Sequence, residues 1–530
     1  MSLKRNTGYN LAGAVFPALV ALATIPLYLP WIGSERFGAL SLIWLISGSF
    51  GFFDLGLTRS TAFRIAAQPT ADTAAHGKTL GSALALGSVA SIVGGLFAWA
   101  VLHVYFERFF ICGPELRDEI LDALPLGGLL VAATLLSSIC NGALQGRERF
   151  GEANILMTGG SAGLQAAPLM AAMLMGSEFS FLVAAMLGVR IATLAYGLFA
   201  TSRHVAPLRL LRHDRSEVAR LRGFGKWVMS TSLLGPIILY FDRLLLGSFF
   251  GGGAVASYNA PFQLAQRVTL VPTAIAAALF PRMVGRNLQQ AADQCRIAAD
   301  YSAALITPLV VLAILSMDWF IRLWVGEALS PDTPDIAKLL LAAFWCNSFG
   351  AIYATALEAR GRPDVLPKLL LAEAPIYVAV LYVGARLGSP LWVAGLFGLR
   401  SLIDTAALWK LSRLPRQIGP LLLFQLALVI GACAFGVADG VGRSVWWMVT
   451  LALLIACAAA SVSVLQRPAL SAWDALRRKT PPPLAATVGS VFPGDDDVLH
   501  IGQAGEEAER ELAQQAGSLA GGSRSDRFDP

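Results

Sequence analysis

The feature that most narrows the folds open to this chain is a series of about fourteen apolar runs, each roughly as long as a bilayer is thick. In lipid, a run of about 20 apolar residues can satisfy its own backbone hydrogen bonds only as a helix. The first six windows are Tyr9–Leu29, Gly38–Leu57, Leu80–Tyr105, Ile120–Cys140, Ala153–Met175 and Phe179–Thr201. The next four are Phe224–Gly251, Ala254–Phe280, Tyr301–Val325 and Ile336–Leu357, and the last four are Leu366–Val383, Leu391–Leu411, Leu421–Val437 and Val445–Leu465. Only 14% of residues are charged and mean hydropathy is +0.61, where a soluble chain carries about a quarter charged residues. The sequence predicts an all-α integral membrane protein with about 14 transmembrane helices.

Charge sets the expected topology. Lys4 and Arg5 precede a first run too long for a cleaved signal core, so it reads as an uncleaved helix. If the N-terminus starts inside, about 27 Lys and Arg fall on inside connections and about 7 outside, a strong positive-inside bias. Both termini are therefore expected in the cytoplasm. Trp31, Trp319, Trp324, Trp392, Trp446 and Trp447 fall at the outer interface, where an aromatic belt belongs. The net charge of +6 resides in these short loops and is no nucleic-acid signal. Six cysteines without CxxC spacing and five scattered histidines give no metal motif, and no cofactor is expected.

The halves resemble each other. Pro17 matches Pro236 at an offset of about 219, Gly33 matches Gly251 at about 218, and Gly146 matches Gly361 at about 215. Six helices is an even number, so the repeats share one orientation and should form parallel lobes with a site between them. The expected organisation is a first lobe at 1–202, a basic cytoplasmic linker at 203–223 and a second lobe at 224–415. Two additional helices follow at 416–465, then a solvated tail at 466–530, marked by Pro481–Pro483 and Asp495–Asp497.

A charge at bilayer depth costs about 2.5–3.5 kcal/mol on insertion scales, so each one inside a span needs a reason. They are Asp54, Arg190, Asp242, Arg243, Arg267, Glu373, Arg400 and Asp404, and whole helices elsewhere have none. That partition points to one shared polar cavity. Arg400 and Asp404 share a helix face, which suits an ion pair or a binding role. Asp54 stands where it could brace a cytoplasmic loop. Asp242 and Arg243 leave their helix about 100° apart, so neither is expected to satisfy the other. Arg190, Arg243, Arg267 and Arg400 outnumber the carboxylates left for them, and guanidinium binds phosphate bidentately; an anionic cargo follows. Glu373, beside Pro375, is a candidate for coupling to H+ or Na+. Asn10, Tyr240, Tyr258, Asn259, Gln263, Gln266 and Asn347 mark the expected lumen, and Pro17, Pro26, Pro236, Pro261 and Pro272 mark hinges.

IGSERFGALSL, FFDLGLTRSTAFRIA, GALQGRERFGEANI, YFDRLLLGSFFGGGAVASYNAPFQL and EARGRPDVLPKL, taken in order over about residues 1–415, resemble the Wzx-type oligosaccharide flippases of the multidrug/oligosaccharidyl-lipid/polysaccharide exporter superfamily. The resemblance implies a V-shaped, bacterial inner-membrane transporter. It would move undecaprenyl-diphosphate-linked oligosaccharides from inner to outer leaflet, with cavity arginines on the diphosphate or on acidic sugars. It also implies the bilayer, polysaccharide polymerase and export machinery as partners. The last two helices match the fourteen of lipid II flippases rather than twelve. A multidrug antiporter would want an acidic cavity for cationic drugs. A membrane glycan polymerase or ligase would need a large outer catalytic loop, and the outer loops here are short. Neither ATP hydrolysis nor another catalytic motif is visible.

Overall fold

The structure, a computed structural model, describes residues 3–49, 54, 56–69, 71–414, 420–437, 448–462 and 464. The expected tail, Trp446, Trp447 and the side chains of Asn10 and Pro236 lie outside them. The described residues form helices and no strand. The first set is α1 (Leu3–Ser49), α2 (Leu57–Ala66), α3 (Thr73–Arg108), α4 (Pro114–Gly146), α5 (Phe150–Met175) and α6 (Phe179–His204). The second set is α7 (Arg215–Ala265), α8 (Leu270–Met283), α9 (Leu288–Val325), α10 (Thr333–Ala359), α11 (Val365–Leu387) and α12 (Pro390–Leu411). α13 (Pro420–Val437) and α14 (Met448–Val462) follow. Among the described residues nine helices are long and apolar enough to cross a membrane.

Two of the long helices are hairpins. α1 is broken at Gly33 (φ 75°, ψ 165°) and α7 at Gly251 (φ 78°, ψ −174°), a conformation open to glycine and closed to residues with a Cβ. Tyr28 and Trp44 flank the first break with ring centroids 5.6 Å apart; about sixteen residues of straight helix would separate them by ~24 Å. Across the second break the Tyr258 hydroxyl donates to Asp242 Oδ2 at 2.6 Å. Each α1-type element therefore supplies two antiparallel limbs, and each lobe has six spans. The repeat reappears in the turns after α4 and α10. Arg149 N–H bonds Leu144 O at 2.9 Å and Arg362 N–H bonds Leu357 O at 3.0 Å, around left-handed Glu148 and Gly361. Glu148, not Gly146, is thus the mate of Gly361, two residues away from the register that sequence suggested.

The second and eighth spans are interrupted rather than continuous. Left-handed Gly56 breaks the helical path just before α2. α7 gives way to a 3₁₀ turn at Gln266–Thr269 before α8, where Pro272 removes a donor from the helical ladder.

The lobes meet where the hairpin tips cross. A Cβ on Gly38 would lie 1.9 Å from Gly252 O, and one on Gly252 would lie 2.5 Å from Glu35 O; only glycines allow these backbones to touch. Ile111 N–H bonds Gly247 O at 3.0 Å and the Tyr105 hydroxyl bonds Leu244 O at 2.8 Å. At the opposite end the connection before α7 lies on α3, with Gly77 against Leu210 and Gly81 against Arg212. There Arg64 on α2 makes a salt bridge with Glu217 on α7 at 2.7 Å.

Two expectations about interfacial residues change. The Trp324 indole donates to Leu22 O in the other lobe at 2.8 Å, a carbonyl that Pro26 leaves without its helical donor. Trp319, Trp31 and Trp392 remain exposed. Lys338, one of the roughly seven basic residues counted on outside connections, is buried. Its ammonium bonds Asp318, Asp335 and, at 2.5 Å, Gly436 O at the end of α13, which fastens that helix to α9 and α10.

Candidate functional site

Roughly 12–20 Å below the crossed tips, at 1.5 Å rise per residue, the two hairpins enclose a cavity of about 220 Å³. One wall comes from the first lobe: Ser41, Trp44 and Leu45 on the second limb of α1, with Ser161, Leu164 and Gln165 on α5. The other comes from the second lobe: Tyr240 and Arg243 on the first limb of α7, then Asn259, Phe262, Gln263 and Gln266. The i, i+3, i+4, i+7 spacing of the last four puts them on one helix face.

Arg243 is the one cation lining this cavity among the described residues, and its own geometry departs from expectation. Its guanidinium turns back to Asp242, with Nη1 3.4 Å from Oδ1, so the neighbours do interact. The side chain is flexible enough to span the angle between their Cβ directions. The group lies 3.5 Å over the Phe262 ring and 5.3 and 5.6 Å from those of Tyr240 and Tyr258, close enough for cation–π attraction. Tyr258 is fully buried and serves this arrangement through Asp242 rather than by facing the cavity. Only 1% of Arg243 is exposed; it stands in the wall as a guanidinium paired with Asp242 more than as open surface.

The other charged residues do not converge on this chamber. Arg190 on α6 lies against Gly160 of α5, its Nη1 3.3 Å from where a Cβ would stand there. Arg267 is in the 3₁₀ turn, next to Gln266. Neither has a carboxylate within 4.0 Å among the described residues, and the Nε of each is buried without a hydrogen-bond partner. Arg400 pairs with Glu373 at 2.8 Å, not with Asp404; the α11–α12 packing brings a closer carboxylate than the one on its own helix. Arg400, Glu373 and Asp404 line a separate cleft of about 360 Å³ between α11 and α12, with Ile376 and Ile403 exposed beside it. Arg400 also lies 5.1 Å from the Tyr377 ring. Asp54 accepts from Thr58 N–H at 3.0 Å and from its hydroxyl at 3.0 Å, bracing the start of α2. Asn347 is on α10, away from the lining.

Ser41, Trp44, Ser161 and Gln165 are the lining residues that charge and polarity counts passed over. The repeat held the signal. Ser41 and Asn259, Trp44 and Phe262, Leu45 and Gln263 are each separated by about 218 positions, the spacing of the two hairpin glycines.

The polysaccharide biosynthesis protein family matches residues 3–285. The chain is 24% identical over 416 residues to a Shigella flexneri protein provisionally named an O-antigen transporter, covering 78% of this chain and 99% of that one. Among solved structures it resembles the lipid II flippase MurJ in an inward closed conformation, with TM-score 0.63, 14% identity, and 87% and 99% of the two chains covered. It also resembles an inward-facing multidrug resistance MATE transporter of the MOP superfamily, with TM-score 0.59, 17% identity, and 78% and 94% covered. At these identities the structures share a fold: helical lobes in a multi-pass membrane protein. With more than half of its length matched, this chain belongs to the polysaccharide biosynthesis protein family.

Proposed function

We propose that the chain flips a lipid-linked oligosaccharide, carried on undecaprenyl diphosphate, across a bacterial inner membrane by alternating access of the two lobes. Both termini are in the cytoplasm in this reading, and the cargo is an O-antigen, capsule or exopolysaccharide repeat unit. The observation that carries it is the cavity between the hairpins, whose charged lining is the Arg243 guanidinium. A cation in a low-dielectric wall attracts an anionic headgroup far more strongly than in water, and a positive wall disfavours cationic drugs. A diphosphate entering the cavity competes with Asp242 for the guanidinium fork. Arg190 and Arg267, which have no carboxylate within 4.0 Å among the described residues, extend the positive field beyond the lining. We place coupling to H+ or Na+ at the Glu373, Arg400 and Asp404 cluster, where Arg400 pairs with Glu373 and Asp404 lies one helical turn away with its Oδ1 unbonded among the described residues.

In a host whose glycan export depends on this chain, Arg243→Ala should cut export about 10- to 100-fold, the loss of one charged hydrogen-bonding contact. Protein should still reach the membrane, and lipid-linked glycan should accumulate at the cytoplasmic face. Arg243→Lys should recover part of the loss, since it keeps charge without the fork. Full export by both variants, or unchanged lipid pools with altered drug susceptibility, would reject the proposal.

A further inference from the structure

We infer that the first-lobe wall of the cavity is a glycosyl subsite, with Trp44, Ser41 and Gln165 receiving a neutral sugar while Arg243 opposite receives the anionic group. The inference rests on the transport reading above and assigns the two walls different parts of the cargo.

The two walls occupy equivalent places in the repeat but differ in chemistry. In the second lobe the aromatic residue, Phe262, is covered by the Arg243 guanidinium. At the same repeat spacing, the mates of Asp242 and Arg243 are Thr24 and Ile25. Thr24 donates to its own helix at Val20 O, 2.8 Å away, and Ile25 is 1% exposed. Among the described residues, no ionisable side chain from the first lobe lines the cavity.

What that wall offers instead is neutral hydrogen-bonding capacity that the protein leaves unused. Ser41 Oγ, Trp44 Nε1 and Gln165 Oε1 are all buried without a hydrogen-bond partner among the described residues, and Ser41 is 2% exposed. Buried polar atoms are paired in the great majority of cases, and one left unpaired keeps its desolvation cost without compensation. Three on one cavity wall indicate a ligand that supplies both donors and acceptors. Trp44 is held in place for it. Tyr28 and Phe37 pack on the indole at 74° and 81°, and the Tyr28 hydroxyl bonds Gln165 O at 2.5 Å, tying α5 to α1. An indole beside a hydroxyl and an amide complements a sugar, which has an apolar C–H face and a rim of hydroxyls. An anion would require a cation here, and a cationic drug a carboxylate; among the described residues the wall has neither.

The test uses purified full-length protein and two probes, farnesyl diphosphate and the same diphosphate bearing one glucose. The wild type should bind the glucosylated probe more tightly. Trp44→Ala and Gln165→Leu should each weaken that probe about tenfold, the loss of one buried contact, and leave farnesyl diphosphate within about twofold. Trp44→Phe keeps an aromatic ring while losing the N–H and part of the indole surface, so it should give a smaller loss than Trp44→Ala. Arg243→Gln should weaken both probes. The subsite is overturned if glucose adds nothing to wild-type affinity, as it would if water alone fills these positions. It is also overturned if Gln165→Leu and Trp44→Phe weaken both probes alike. Binding of neither probe by the wild type removes the transport reading, and the subsite with it.

Discussion

At the scale of single residues, the cavity cation is a member of a buried cluster rather than a bare charge. Asp242 accepts from the Arg243 backbone N–H at 2.8 Å, from its guanidinium at 3.4 Å, and from the Tyr258 hydroxyl at 2.6 Å. Both charges are essentially solvent-free, so their worth depends on how completely the lone pairs are satisfied. Tyr258→Phe should therefore destabilise the protein in detergent by about 1.5–3 kcal/mol, the value of a hydrogen bond to a charged group. In an Asp242→Asn background the same change should cost well under half of that, because the charge that strengthens the bond is gone. Thermal or denaturant unfolding of the four proteins checks this, and additive effects would mean that the hydroxyl stabilises something other than the carboxylate. Chain position alone could not reveal this cluster. Asp242 and Arg243 diverge at Cβ, and what reunites them is a long side chain together with Tyr258, which arrives from the opposite limb of a hairpin. Arg400 taught the same lesson: its i+4 neighbour Asp404 was visible in the sequence, whereas Glu373 became its partner through packing of α11 on α12.

At the scale of elements, glycine placement shapes the molecule. The hairpins need Gly33 and Gly251 in a left-handed, extended conformation, and the crossed tips need Gly38 and Gly252 for clearance. A Cβ at position 38 has backbone rather than a movable side chain 1.9 Å away, so Gly38→Ala must part the tips. In a cysteine-free background carrying Asn259→Cys, a membrane-impermeant thiol reagent applied from the side of the tips should label slowly. Adding Gly38→Ala should raise the labelling rate at least about tenfold, equivalent to roughly 1.4 kcal/mol less stability for the closed tips. An unchanged rate would show that the seam is not what seals the cavity. The number and order of the spans were legible because lipid allows few alternatives to an apolar helix. Interruptions of the second and eighth spans were not: hydropathy averages over Gly56 and over the Gln266–Thr269 turn, while backbone geometry registers every residue. The repeat was legible near the hairpins and misplaced by two residues after α4, because Gly146 imitates Gly361 in composition and Glu148 matches it in conformation.

At the scale of the whole molecule, near-equal backbones carry unequal charge, and the lobes have to separate at their tips for that asymmetry to serve transport. The seam offers a direct test. A Cβ on Gly253 would lie 3.7 Å from Ser34 Oγ, so cysteines at these two positions would face each other across the seam, where a small approach brings them to disulfide distance. Gly253 does not have the positive φ of Gly251, so a side chain there brings no backbone strain. In a cysteine-free chain, Ser34→Cys with Gly253→Cys should oxidise readily and hold the tips together. Export should then fall to the background of a deletion strain and return on reduction, while either single variant exports normally. Alternating access requires this outcome, because a chamber that cannot open at one end cannot release its cargo there, however well the cargo binds. Binding of farnesyl diphosphate should survive the cross-link if the site loads from the opposite end, where Arg64 and Glu217 join the lobes. Undiminished export by fully oxidised protein would mean that the cargo leaves by a route other than the tips, between helices and into the outer leaflet.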